Sequence, residues 1–373
     1  AKEEGRQGIW SWIGWMGVLA GFLILSYYSV IAGWALAYVF RVGSGMLQAA
    51  DSAGIQNIIT ELVSDPEKLL AWHTMFLVLT MVVVARGVKQ GLEKAVRFLM
   101  PLLLILLLIL VGYAMNTGHF GDAVDFLFKP DFSKLTGGAI LTAMGHAFFT
   151  LSLGMGAIMI YGSYLPENTS IAKTSIIISV ADTLVALLAG LAIFPIVFSF
   201  PDLTPGAGPG LIFQTLPLAF ANMPGGLIFG TLFFILIVVA AWTSSISLIE
   251  PAVAWLIENR GMTRVKAAVL SGLATWLVGI ATVLSFSHWA FDFNFLGAVK
   301  HNGVFDILDI LTANIMLPVG GLFIAIFAGW MMKEKHSKEE LGLKHSYILW
   351  QFLIKYIAPV LVIVVILNLF GVI

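Results

Sequence analysis

A chain of 373 residues with 59% hydrophobic and 11% charged positions lacks the polar surface of a soluble domain, in which about 25% of residues are charged. A formal net charge of −1 without any basic stretch points away from nucleic acid, and the lack of cysteine excludes disulfides, thiolate metal sites and redox thiols. The apolar residues come in runs long enough to cross about 30 Å of hydrocarbon as helices. They lack the roughly ten-residue alternating segments of a transmembrane β-barrel. The fold class expected is an all-α polytopic membrane protein.

The chain opens AKEEGRQG, charged and without a signal peptide. It has no initiator Met, which reads as a processed chain or a piece of a longer one. Nine spans are predicted, at 12–40, 71–87, 92–115, 137–164, 170–200, 225–258, 263–285, 303–332 and 346–371. Several exceed the length of a straight crossing, so tilt or extension into water is expected. Residues 203–224 are too rich in Pro and Gly for a span and read as a structured loop with one short helix. With the N-terminus cytoplasmic, the inner connections carry fourteen Lys and Arg, among them Lys2, Arg6 and Lys344, against five outside. Nine spans then place the C-terminus outside.

Polar groups inside the spans are the functional candidates, because each is costly there. Tyr27 and Tyr28 lie near the middle of the first span and need partners, either a neighbouring helix or a bound carboxylate. His73 and His146 read as packed polar residues rather than metal ligands. Segment 145–156, GHAFFTLSLGMG, sets Gly145, Gly154 and Gly156 around a Thr and a Ser. Glycines there permit either tight helix packing or a break in the helix. A break at membrane depth is tolerated only against a cavity or inside protein. It would offer carbonyls to cations and amides to anions, which suits a zwitterion beside Na⁺.

Asp182 is the only charge between Thr174 and Phe200 and is either an ion ligand or a helix–helix hydrogen bond. Ala240, Thr243 and Ser244 stand at i, i+3 and i+4, so two hydroxyls and a carbonyl converge on one point, as a singly charged hard cation needs. The bland alternative is that the hydroxyls bond back to the preceding turn. Glu250, followed by Pro251, reads as the partner of a kink or as a functional carboxylate. Asp306 and Asp309 share a helix face near the outer boundary.

Three stretches, AFFTLSLGMGAIMIYGSY (147–164), GPGLIFQTLPLAF (208–220) and AAWTSSISLIEP (240–251), make the chain resemble the neurotransmitter:sodium symporter family, whose members have the LeuT fold. The resemblance covers essentially the whole chain and implies sodium-coupled symport of an amino acid across the cell membrane, with no covalent chemistry: not an enzyme. By it, the first span looks like the family's third helix and the last like its eleventh. Residues 12–115 then hold the remainder of a first inverted repeat, 137–332 a second, and 346–371 an additional C-terminal helix. The family's first two helices, which carry half of each sodium site, are expected to lie in a missing N-terminal segment. Without that partner segment the chain alone is expected to be inactive.

The same resemblance implies roles position by position. Tyr28 looks like the hydroxyl that binds the substrate carboxylate, and Phe149 like the aromatic lid above it. Ser152 and Leu153 would offer backbone groups, with Ile24, Met155, Ser245 and Leu248 lining an apolar pocket. Thr150 and Asp182 look like the surviving ligands of one sodium site, and Ala240, Thr243 and Ser244 like those of the second. Asp309 resembles the outer-gate carboxylate, beside Tyr28 and Phe149. Tyr164, Glu250 and Glu258 resemble an inner gate whose arginine would be absent with the missing segment. Gly91 and Pro101 resemble a motif that lets a helix unwind on the inner side.

Chloride-dependent relatives carry a hydroxyl where this chain has Ala186. The carboxylate of Asp182 therefore implies chloride independence. The pocket residues imply a hydrophobic or aromatic amino acid. Two rivals are carried: a non-transporting membrane partner protein of the same fold, and a proton-coupled amino-acid transporter with Asp182 as the proton carrier.

Overall fold

Two long helices organise the molecule, and apolar composition on every face is what lets them sit at its centre. The structure is a computed structural model that describes residues 4–5, 8–48, 50–166, 169–200, 208–343 and 346–372. Residues 203–207 of the expected loop, and the orienting cations Lys2, Arg6 and Lys344, lie outside the described residues.

Helix α1 (Ile9–Gly43) is 35 residues long. It is followed by the short amphipathic α2 (Ser52–Val63), which buries Ile55, Ile59 and Leu62. Helix α3 (Pro66–Ala85) starts at an Asp65 cap, whose carboxylate accepts from the Glu67 and Lys68 amides. A π-helical turn, Val88–Glu93, leads into α4 (Lys94–Ala114), and α5 (Phe120–Phe128) lies beyond it. Gly91 falls within that turn, where a Cβ would collide with the Val83 carbonyl.

Helices α6 (Gly137–Thr150) and α7 (Ala157–Ser163) share one crossing, and α8 (Ile171–Phe198) follows. The loop from α9 (Gly208–Gly210) runs through a second π turn into α10 (Leu216–Asn222). Then come α11 (Gly226–Arg260), with Pro251 inside it, and α12 (Arg264–Ser285). A two-stranded antiparallel hairpin, β1 (Phe293–Phe295) and β2 (Ala298–Lys300), precedes the next span. Helices α13 (Gly303–Asp309) and α14 (Leu317–Ile326) form that span, continuous through π turns to Met331. The short α15 (Glu334–Leu341) leads to the last span, α16 (Tyr347–Phe352) and α17 (Ala358–Leu369).

Among the described residues eight helices are long and apolar enough to cross a membrane, where nine spans were expected. The difference is 137–164, which is two half-helices and not one coil. The chain is a polytopic helical membrane protein all the same. In α1 and α11 the most apolar windows are 61% and 56% buried, against 6% in α8 and 11% in the last span. The first pair therefore forms the centre of the bundle, while α8 and α16–α17 present apolar side chains outward, as lipid-facing helices do.

Two buried clusters flank the middle of the bundle. One is aromatic: Tyr38, Phe213 and Phe234 pack together, and the Tyr38 hydroxyl donates to the Phe213 carbonyl at 2.9 Å. The other gathers Ile24, Met155, Leu248 and Leu317 around the broken crossing. At the lysine-rich end, Glu4 bonds His336 at 2.5 Å and accepts from the Lys333 amide at 3.3 Å, tying the start of α1 to α15. The His336 hydrogen bond holds the Glu4 carboxyl below the usual carboxylate range.

Candidate functional site

Helix α6 ends at Thr150 because the chain turns left-handed two residues later. Ser152 has φ 55°, unusual for a residue with a side chain, and Gly154 and Gly156 have φ 81° and 77°. The Leu153 amide folds back to the Phe148 carbonyl at 2.9 Å, closing the helix. Among the described residues, the amides of Gly154, Met155 and Gly156 then find no backbone acceptor. The carbonyls of Thr150 through Leu153 find no donor either. Gly145, by contrast, stays inside α6 with ordinary helical backbone. Of the three glycines singled out in the sequence, two therefore make the break.

The unwound strand passes so close to its neighbours that side chains would not fit. A Cβ on Gly154 would run into the carbonyl of Leu317 on α14, and one on Gly21 of α1 would lie 2.5 Å from the Leu248 carbonyl of α11. Backbone of α1 and α14 thus packs directly against Gly154–Gly156, with α11 behind α1.

Around it stand the residues singled out in the sequence. Ile24, Met155 and Leu248 are 1%, 3% and 6% exposed and pack in one cluster. Tyr28 interacts with Ser244 through its hydroxyl. Ser244 is exposed although it lies in the middle of α11. The Thr243 hydroxyl donates to the Ala240 carbonyl at 2.9 Å, so these two oxygens do converge, and the bland back-bonding is their present arrangement. Ser245 is fully buried with its hydroxyl 2.7 Å from Thr80 of α3, which turns its polar group to that helix. Phe149, Thr150 and Leu153 are exposed, and Asp182 is half-buried on α8. No hydrogen bond or ion pair joins Asp182 to Thr150 among the described residues.

At the outer end, the Tyr27 hydroxyl lies 3.1 Å from the Thr312 hydroxyl, with the Asp309 carboxylate as an electrostatic neighbour. Asp306 acts locally, since it is buried and accepts from the Asn302 amide at 2.8 Å, capping the start of α13. The two carboxylates on one face therefore divide into one helix cap and one neighbour of Tyr27.

The inner end holds an ion pair that the sequence reading did not foresee. Glu250 finds an arginine within this chain: Arg264, at the start of α12, grips it with two hydrogen bonds of 2.7 and 2.5 Å. Tyr164 donates to the same carboxylate at 2.7 Å, and the Arg264 Nε donates to the Val84 carbonyl at the end of α3 at 2.8 Å. The cluster ties α7, α11, α12 and α3 together. In the sequence Arg264 stands out only as an orienting cation, and spacing along the chain gives no sign of the pair. Glu258 is exposed near the end of α11 and takes no part in that cluster.

Two half-helices in one span, with unpaired backbone amides and carbonyls between them, are the arrangement that secondary transporters use at their binding sites. The chain belongs to the Sodium:neurotransmitter symporter family, whose family model matches residues 53–372; these proteins are transporters and not enzymes. It is 38% identical to a sodium-dependent transporter of Bacillus subtilis (strain 168), YhdH, over 100% of this chain and 82% of that protein. A Haemophilus influenzae sodium-dependent transporter is 33% identical over 98% of this chain and 80% of its own length. The crystal structure of MhsT in complex with L-phenylalanine matches with a TM-score of 0.87 and 38% identity, covering 97% of this chain and 82% of that one. The chain thus shares the LeuT fold.

Proposed function

We propose that these residues serve sodium-coupled uptake of a hydrophobic or aromatic L-amino acid, by rocking of the helices around the break against the scaffold of α1, α3, α11 and α12. The observation that carries this reading is the unpaired backbone at Thr150–Gly156, whose Gly154–Gly156 stretch is buried against the backbone of α1 and α14. Its amides suit the substrate carboxylate, and its carbonyls suit the ammonium and a neighbouring Na⁺. Tyr28 completes the carboxylate site, and Ile24, Met155 and Leu248 supply apolar walls, with Phe149 as lid. Thr150 and Asp182 contribute to one Na⁺ site, and Ala240, Thr243 and Ser244 to the other. MhsT binds L-phenylalanine, which supports the substrate class. In this reading the membrane is the cell membrane, with the N-terminus of this chain inside.

The oxygens named leave each Na⁺ short of the six or so ligands that a hard cation takes, so further ligands are assigned to an N-terminal pair of helices. Radiolabelled L-phenylalanine binding is to be measured with and without a co-expressed segment carrying such a pair. Sodium-dependent binding only in its presence is expected. Binding that ignores sodium in both arms would leave the non-transporting partner as the better reading.

In this reading Asp182 supplies a fixed negative charge to the Na⁺ site it shares with Thr150, so uptake is expected to be unchanged when gluconate replaces chloride. Asp182→Asn is expected to lose that activity by tenfold or more, since one charge is removed from a desolvated ion site. Loss of uptake in the parent protein on chloride removal would refute this part of the reading.

A further inference from the structure

We infer that the groove between α1, α11 and α12 holds one anionic phospholipid, its acyl chain in the groove and its phosphate at the lysine- and arginine-rich end. The groove has a volume of about 540 Å³ and opens to the outside of the bundle, where Trp12 and Leu270 are exposed. Trp12, Trp15, Trp255 and Leu270 give it an apolar lining, and the rings of Trp15 and Trp255 lie 4.3 Å apart. Ser271, on the same wall, is only 4% exposed, so the surface the groove presents is apolar throughout.

Charge selects the headgroup. On α11 the Arg260 guanidinium sits 5.5 Å from the centre of the Trp255 ring. On α12, Lys266, Leu270 and Ala274 follow at i, i+4 and i+8, so Lys266 stands on the groove face one turn before the lining begins. Both cations are exposed and make no ion pair among the described residues. Glu258, two residues from Arg260, points to another side of the helix. Two unpaired cations at the mouth of an apolar slot match a phosphate carrying an acyl chain.

Native mass spectrometry of the detergent-extracted protein, titrated with dioleoylphosphatidylglycerol or dioleoylphosphatidylcholine, tests the site. The anionic lipid is expected to bind more tightly. Arg260→Ala with Lys266→Ala is expected to weaken it about thirty-fold, at roughly 1 kcal/mol per basic group. Ala274→Phe, which fills the groove and leaves the charges in place, is expected to weaken binding of the same lipid. The exposed charge pair decides alone if that variant does not fold. Equal binding of both lipids with no effect of the charge variants would reduce the groove to ordinary bilayer contact. A lipid-free dimer abolished by Ala274→Phe would make it an interface between copies; either result overturns the inference.

Discussion

Replacing Arg264 by alanine is expected to cost about 3–5 kcal/mol of stability, the penalty for leaving one member of a buried ion pair uncompensated. The Glu250 side chain is 1% exposed and that of Arg264 18%, so water cannot take the place of the lost guanidinium. The Tyr164 hydroxyl would remain as a donor, at about 1.5–3 kcal/mol for a hydrogen bond to a charge, which is too little to replace the arginine. Removing both charges, as Glu250→Met with Arg264→Leu, is expected to recover most of the loss, because a buried pair can be exchanged for apolar packing near neutrality. Thermal unfolding of the detergent-solubilised variants measures this. A single variant as stable as the parent would mean that the pair is solvated. A double variant as unstable as the single one would mean that packing of the long side chains, and not charge, holds the four helices. The recovered double variant is further expected to lose coupled uptake, since Glu250 and Arg264 tie α7, one arm of the broken crossing, to the scaffold helices α3, α11 and α12.

In the chain co-expressed with the two-helix N-terminal segment, Gly154→Ala is expected to abolish L-phenylalanine binding. The left-handed conformation at φ 81° costs an L-residue about 1–2 kcal/mol by itself. The added methyl also meets the Leu317 carbonyl, which is backbone and cannot rotate aside. Together these pull the unwound strand away from α14, and with it the carbonyls and amides of the site. Gly145→Ala is the control. A methyl there would have its nearest neighbour, Val365 Cγ1, at 3.9 Å. Alanine gains about 0.5–1 kcal/mol over glycine inside a helix. The control is expected to fold and bind as the parent does. Similar behaviour of the two variants would detach the break from function.

Composition made the spanning helices plain, because length and hydropathy are properties of a segment by itself. Short amphipathic pieces were harder: α2 repeats Ile55, Ile59 and Leu62 at helical spacing, yet it is too short and polar to stand out among the long apolar runs. At the break, Gly154 and Gly156 could be seen but not told apart from Gly145, since a glycine announces only freedom. Ser152, which takes the left-handed turn as a non-glycine, carries no signal at all. The contacts that no pattern betrays are the distant ones. Tyr27 meets Thr312 across 285 residues and Tyr164 meets Glu250 across 86. Arg264, fourteen residues beyond Glu250, stood at a loop where positive charge already had an explanation in membrane orientation. Local chemistry was legible; partnership was set by packing.

Sodium-driven uptake is the most direct test of the site at the break. Proteoliposomes carrying this chain with a co-expressed two-helix N-terminal segment should accumulate labelled L-phenylalanine under an inward Na⁺ gradient. Thr243→Val with Ser244→Ala should remove that accumulation while leaving the protein folded. Accumulation that persists with K⁺ in place of Na⁺, or that is indifferent to the two hydroxyls, would contradict a sodium site at Ala240–Ser244.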